Sequence, residues 1–400
     1  MDSKKVLSLF SGCGGMDIGF EGGFNVHKRC VNMDIHPEWI KSEVGEFVTL
    51  RYTCFRTVFA NDIVTPAKIA WTRFFSKRGT PSDSFYQESI VDLVKRAKSN
   101  AANVFPEDVD IVTGGFPCQD FSVAGKRKGF NSHKSHKGTI VDDSDEPTTE
   151  NRGALYIWMR EVIEITQPKV FVAENVKGLV SLADAKAVIE NDFRNIGGSG
   201  YIVVNARVLN AAEYGVPQKR ERVIFLGFLK SALKEEAIKS LSSSDIPIEF
   251  DPYPIPTHAV SYRQNLSLFG YHKPLMPFVT ARDVLLDLPE PYDAWDDLSQ
   301  KSYSKARYYG THMQGQTEIS LNGLGPAIRS EHHGNIEFRR LSKSHGGCIK
   351  DELDVELPER RLTVRECARL QTFPDSFDFV IVPIKGSRKF VISSSDAYKC

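Results

Sequence analysis

Val109-Asp110-Ile111-Val112-Thr113-Gly114-Gly115-Phe116-Pro117-Cys118-Gln119-Asp120-Phe121-Ser122 is the stretch around which the chain is organised. Its first part is a short apolar run ending in two glycines, the pattern of a buried strand. The backbone then turns at Pro117 and presents Cys118 at the strand's carboxyl end, where open α/β sheets bind ligands and do chemistry. A thiol there is a candidate nucleophile. A structural core cysteine is the competing reading, because free cysteine is among the most buried residue types. The flanking Gly-Gly-Phe-Pro and Gln-Asp-Phe-Ser argue against it, since a core cysteine needs no such frame.

Upstream, residues 6–10 read as a strand, followed by Ser11-Gly12-Cys13-Gly14-Gly15 and a helix through Phe20. Strand, glycine turn and helix form a nucleotide-type cradle, although the full GxGxxG pattern is absent and any tight βα turn would look alike. Residues 26–33 read as a second strand with Asp34 at its end, about 20 residues past the glycines, where an acid accepts from ribose hydroxyls. Asp62-Ile63 offers an acid at a third strand end, with a helix cap as the plain alternative. Residues 64–108 read as an insertion carrying an amphipathic surface helix (Tyr86, Ile90, Leu93, Val94, Ala97).

Downstream, 123–150 has glycines and mixed charge but no apolar period, and reads as a long functional loop. Its basic half, with Lys126, Arg127 and Lys128, suits phosphates. Residues 152–166 read as a helix stopped by Pro168, and 170–173 as a buried strand with Glu174 at its carboxyl end, facing the same crevice as Cys118. A helix over 181–195 and a strand over 201–209 follow. In Gln218-Lys219-Arg220-Glu221-Arg222 the alternation directs Arg220 and Arg222 to one face, ready for an anion or a base carbonyl. The prolines at 247, 252, 254 and 256 make 245–258 a stiff linker. Residues 259–357 lose the βα alternation and interleave Arg, His and aromatics, including Arg329 and Arg339, as a nucleic-acid surface would. Thr363 and Glu366 form a capping box for a helix to Gln371, stopped by Pro374.

Composition sets wide bounds. The chain has 400 residues, 41% apolar and 26% charged, typical of a soluble globular protein with a substantial core. No apolar run approaches the roughly 18 residues of a membrane span, and no signal-peptide core is evident at the N-terminus. Seven scattered cysteines without a CxxC pair argue against a disulfide framework or a metal site and for a reducing compartment. Net charge is zero, so only local charge supports nucleic-acid binding.

In order along the chain, Leu9 to Gly15, Asp34, Asp62-Ile63, Gly114 to Ser122, Arg152-Gly153-Ala154-Leu155, Glu174-Asn175-Val176, Gln218 to Arg222 and Arg361 to Asp375 resemble the DNA (cytosine, carbon-5) methyltransferases of bacterial restriction–modification systems. The match covers 5–230 and 358–380; the segment between corresponds to that family's variable target-recognition region. The resemblance implies a doubly wound, Rossmann-like α/β domain dependent on S-adenosylmethionine, with a smaller irregular recognition domain. The expected division is 1–245 catalytic, 246–357 linker and recognition, and 358–400 a return segment. It further implies a cofactor pocket made by Phe10, Ser11, Gly12, Cys13, Gly14, Asp34, Ile35, Asp62, Ile63, Pro117 and Leu155. Cys118 is then the nucleophile, Glu174 the partner of ring nitrogen 3, and Arg222 with Arg220 the clamp on the ring carbonyl. DNA contacts fall to Gln119, Ser122, Lys126, Arg127, Lys128, Arg329 and Arg339, and no metal is implied. Double-stranded DNA is the partner, a restriction endonuclease the genetic partner, and the setting bacterial, cytoplasmic and nucleoid-associated, with no membrane. In this family the chain closes with a Gly-Asn-Xaa-Val-Pro segment; Asp396 to Cys400 resembles its lead-in, which points to a complementing C-terminal chain. Two other readings stand beside an active DNA enzyme: a silent or split chain acting as a DNA-binding module, and a methyltransferase acting on transfer RNA.

Overall fold

The computed structural model describes residues 2–99, 103–117, 155–182, 184–260, 274–294, 296–310, 315–329, 336–382 and 391–400. They form two compact units: Met1–Gly22, Thr53–Leu209 and Glu221–Ile255 in the first, Gly23–Tyr52, Asn210–Arg220 and Pro256–Cys400 in the second.

The first unit is built on strands β1 (Lys4–Leu9), β2 (Phe55–Asn61), β3 (Phe85–Tyr86), β4 (Ile111–Gly115), β5 (Val170–Val176), β6 (Tyr201–Val203), β7 (Arg207–Asn210) and β8 (Glu221–Leu229). Their order is β7-β8-β5-β4-β1-β2-β3, with β6 also on β8. The run β3-β2-β1-β4-β5 is parallel throughout, and β8 is antiparallel to β5 and β6. Parallel strands are covered on both faces, so their side chains are apolar on both. Along β5 and β8, Phe171, Ala173, Val223 and Phe225 enter one core with Leu7, Leu9, Phe59 and Met159. Their neighbours Val172, Ile224 and Leu226 enter another with Leu241 and Tyr253. This alternation is the period of two that a strand imposes. The helix Leu155–Thr166 follows the expected pattern and ends before Pro168.

Several expectations are corrected. Strand 26–33 shrinks to Asn25–His27, which joins an antiparallel sheet with Ile40–Val44 and Phe47–Leu50. Lys28–Cys30 then winds into a 3-10 turn, because the His27 ring accepts from the Arg29 amide. Segment 64–108 supplies β3 to the main sheet and the helix Thr65–Ser76, whose Trp71 and Phe75 are fully buried. The helix Ile90–Lys98, capped by Ser89, buries Ile90, Val91, Leu93 and Val94. Segment 201–209 is two strands, not one. The linker 245–258 is packed: Tyr253 is buried and its hydroxyl donates to the carbonyls of Asn205 and Ile224. Segments 23–52 and 358–400 fall in the second unit. The expected long loop 123–150 lies outside the described residues.

In the second unit the capping box forms as read: Thr363 accepts from the Glu366 amide and Glu366 accepts from the Thr363 amide. Glu366 does more than cap. Fully buried, it takes both terminal nitrogens of Arg360 at 2.8 Å, while Arg360 also reaches Glu290 at 3.0 Å. Arg339, 4% exposed, forks onto Glu352 at 2.6 and 3.0 Å and lies 3.7 Å from Glu366. That corrects Arg339 as a DNA reader, because its guanidinium is spent on internal carboxylates. Burial would push the Glu366 carboxyl up, but Arg360 and then Arg339 hold it below the usual range. A depressed carboxylate contributes stability above its unfolded value and loses it as pH falls through the folded one. Glu366→Gln should therefore cost about 3 kcal/mol at pH 7 by leaving buried guanidiniums uncompensated. Denaturant titrations should show that deficit shrinking in acid.

Candidate active site

β4 and β5 run side by side in register, Gly114 opposite Ala173 and Gly115 opposite Glu174. The ladder ends at that pair, and β5 runs two residues further, to Val176. A Cβ on Gly115 would stand 3.1 Å from Glu174 Oε2, so glycine is what lets the carboxylate approach this backbone. On the other side of β5, antiparallel β8 sets Arg222 opposite Val176, diagonal to Glu174 on the same face. Arg222 Nε meets Glu174 Oε1 at 2.6 Å, with both side chains about one-fifth exposed (22% and 20%). The pair is reachable from solvent and is not a sealed core bridge. Lys177 and Glu221 close a second ion pair at 2.7 Å beside it.

Pro117 is half-buried, and Cys118, which follows it in the chain, lies outside the described residues together with Gln119, Ser122, Lys126, Arg127 and Lys128. Asn175 follows Glu174 on β5. It is 1% exposed, donates from Nδ2 to the Phe116 carbonyl at 3.2 Å and accepts the Val176 amide at 2.8 Å.

The second pair of strand ends belongs to β1 and β2, where Leu9 lies opposite Asn61. Beyond it Phe10 takes φ 53° and Gly12 φ 54°, so the chain reverses at once. Ser11 stitches the reversal. Its amide donates to the Asn61 carbonyl at 2.9 Å, its hydroxyl donates to Ser8 O at 3.0 Å and accepts the Asn61 amide at 3.0 Å. The Gly12 amide donates to Asp62 Oδ2 at 3.0 Å, and the other oxygen accepts from Val64. Asp62 follows the end of β2, and it does not cap the next helix, whose first turn is preceded by Val64 with no side-chain cap. Gly14, at φ 92°, admits no side chain: a Cβ would lie 2.6 Å from the Trp71 and Phe75 rings. Cys13 and Leu155 are buried and Ile63 is exposed.

Asp34, Ile35 and Arg220 belong to the second unit. Asp34 is exposed in a turn held by the Ile35 amide on Asn32 O at 3.1 Å. Arg220 precedes β8, its carbonyl accepting from Ala211 at 2.9 Å. Arg329 is exposed. Sequence reading also missed Gln218, fully buried, whose amide nitrogen donates to the Pro326 carbonyl at 2.9 Å. Its place in the quoted motif was the only signal. Among the described residues no cluster of three metal-ligating side chains forms, and no helix is long and apolar enough to cross a membrane.

A largely parallel sheet with a left-handed glycine turn after its first strand, an acid at the neighbouring strand end and a carboxylate–guanidinium pair two strands away has the architecture of a Rossmann-like α/β domain. The chain belongs to the C-5 cytosine-specific DNA methylase family, whose description matches residues 4–390. It is 33% identical to the Type II methyltransferase M.BsuRI of Bacillus subtilis over 94% of this chain and 71% of that protein. It is 32% identical to M.BspRI of Lysinibacillus sphaericus over 94% and 73%. Among solved structures, a DNMT2 variant of Spodoptera frugiperda aligns with TM-score 0.53 and 15% identity over 99% of this chain and 94% of that one, a likeness of fold alone. The enzyme's class is thus DNA (cytosine-5-)-methyltransferase, with S-adenosylmethionine as cofactor. The residues present fit that group in kind: a side-chain-free Gly12 in the left-handed region lies just past the strand end, and the half-buried Asp62 carboxylate stands beside it.

The helix Gly15–Glu21 that follows the glycine turn carries Asp17, 1% exposed, accepting from Trp71 Nε1 at 2.7 Å. Burial pushes its carboxyl up to about 6. A folded value above the unfolded one gives stability that is complete below the unfolded value and lost as pH rises through 6. Asp17→Asn should remove that dependence. Between about pH 4 and 6 the parent's unfolding free energy should fall relative to the variant's by on the order of 2–3 kcal/mol in denaturant titrations.

Proposed function

We propose that this chain methylates carbon 5 of a cytosine flipped out of duplex DNA, through a covalent bond to Cys118, as the modification enzyme of a bacterial restriction–modification system. It would act on DNA in the cytoplasm, at the nucleoid. What supports the reading is the Glu174–Arg222 pair at 2.6 Å, on the strand in register with the one that leads into Cys118.

Carbon 5 of cytosine is too weak a nucleophile to attack a methyl sulfonium. In this scheme the Cys118 thiolate adds to carbon 6, forming an S–C bond and moving the ring's double-bond electrons toward carbon 5 and nitrogen 3. Glu174 bonds nitrogen 3 as charge gathers there, and Arg222 orients Glu174 and holds the ring carbonyl, with Arg220 in support. S-adenosylmethionine, when bound, supplies the electrophilic methyl. Carbon 5 forms the new C–C bond as the methyl's bond to the sulfonium sulfur breaks, its electron pair staying on a neutral thioether that leaves. Carbon 5 then gives up its proton to a base or water, and the bond between carbon 6 and the Cys118 sulfur breaks to release the thiolate. Phe10, Ser11, Gly12, Cys13, Gly14, Asp62, Ile63, Pro117 and Leu155 serve the cofactor, with Asp34 on its ribose and Ile35 on its adenine. Because a stacked base is out of reach, the target must leave the duplex. Gln119, Ser122 and the basic Lys126, Arg127 and Lys128 then meet DNA beside it, and Arg329 contacts DNA from the recognition region.

Cys118→Ser should abolish methyl transfer while DNA binding survives, because a hydroxyl is a far poorer nucleophile at neutral pH. Labelled methyl should enter DNA and not RNA with the parent alone. Fluorocytosine DNA should trap the parent and leave the serine variant free; turnover by that variant would remove Cys118 from its role. Asp34→Ala should raise KM for S-adenosylmethionine more than it lowers kcat, since a ribose bond is common to ground and transition states. Calorimetry showing unchanged cofactor affinity would sink the assignment of Asp34.

A further inference from the structure

The parallel ladder between β4 and β5 ends at Gly115 and Glu174. One residue further on, the two chains are joined by a side chain. Asn175 donates from Nδ2 to the Phe116 carbonyl at 3.2 Å while its Oδ1 accepts the Val176 amide at 2.8 Å. At 1% exposure, water is not at hand to replace either bond. The amide is used as donor and acceptor at once, which neither an ionised aspartate nor an aliphatic side chain can do. Asn175 is the neighbour of Glu174, and Phe116 stands two residues before Cys118.

We propose that Asn175 is a positioning residue for the methyl transfer: its side-chain amide extends the ladder beyond its backbone end and fixes the Phe116–Pro117 backbone relative to Glu174. The inference rests on Cys118 and Glu174 acting as described above. Asn175 touches neither substrate nor cofactor in this role. It acts through the backbone on the geometry from which the thiol attacks, and such geometry is where small displacements cost large factors in rate.

The test uses the side chain's own chemistry. Asn175→Asp is nearly isosteric. When ionised it is an acceptor only, so it faces the Phe116 carbonyl without a proton to give. When protonated it regains one donor and one acceptor and reproduces both bonds. Burial and the adjacent Glu174 raise the carboxyl of such an aspartate above its ordinary range, so protonation falls at mildly acid pH. Single-turnover methylation and fluorocytosine adduct formation would be measured from pH 5.5 to 8.5 for the parent and the variant, each rate expressed as variant over parent.

At pH 8 the ratio should be about one-tenth or less, the scale of one buried hydrogen bond lost with its partner left unpaired. It should rise toward one as pH falls, with DNA and cofactor affinities unchanged. Asn175→Ala should show the same loss at every pH, and the thermal unfolding midpoint of each variant reports whether the chain is folded. A ratio near one at pH 8, or a deficit in the folded aspartate variant that does not change with pH, overturns the inference. Turnover by Cys118→Ser would sink the nucleophile assignment itself. A dead Cys118→Ser chain beside a normal Asn175→Asp chain would overturn the positioning role alone.

Discussion

Gly115 stands opposite Glu174 in a parallel ladder, and the first unit's chemistry depends on that register. Parallel pairing fixes which residues share a strand end, and a slip of one position would turn every following side chain to the other face. With the observed register Glu174 emerges beside a glycine, where no side chain separates it from the neighbouring backbone. The antiparallel β8 is the other half of the constraint. Running opposite to β5, it starts where β5 ends, so Arg222 arrives at the carboxylate from the beginning of its strand. A parallel neighbour would deliver only its own carboxyl end there.

The second unit solves a different problem. Its strands are two to five residues long and its helices are short, so regular ladders cannot satisfy much of its backbone. Buried charge takes over part of that work. Arg361 donates to the carbonyls of Ala306, Tyr308, Gly315 and Ile336, gathering three separate loop segments around one guanidinium. Arg360, Arg339, Glu366, Glu290 and Glu352 form the ion network beside it. Buried ion pairs seldom exceed apolar packing in net stability. Their directionality, however, suits a region with little repeating backbone, because each fork is satisfied in only one arrangement.

What was legible in the sequence follows the same division. β1, β4 and β5 are continuous apolar runs bounded by turn residues, and periodicity finds such strands because both faces are buried. The Thr363–Glu366 capping box was legible because its signal is local, three residues apart. Residues 26–33 misled because apolar residues at both ends, Val26 at one and Val31 and Met33 at the other, do not show where a strand stops, and the His27 ring bond to the Arg29 amide decides where the turn begins. Arg339 misled for a reason that sequence cannot reveal. An arginine among aromatics suits a DNA surface, and only the tertiary position of Glu352 shows that its guanidinium is already engaged. Asn175 was in view from the start, yet a role that consists of two hydrogen bonds to the backbone has no signature beyond the residue type.

The sheet order of the first unit sets its strand ends side by side. β1, which ends in the glycine turn, is the immediate neighbour of β4, with Leu9 opposite Gly114. Adjacent strands lie roughly 5 Å apart, so the ends of β2, β1, β4 and β5 form a row about 15 Å long. The Gly12–Asp62 bond marks one end of that row and the Glu174 carboxylate the other. In the proposed scheme, a nucleoside held over β1 and β2 would have its far end near β4, beside the backbone that leads into Cys118. The turn at Phe10 and the clamp at Asn175 serve the same purpose on either side of that gap: each holds a chain that has just left the sheet, where the ladder no longer can.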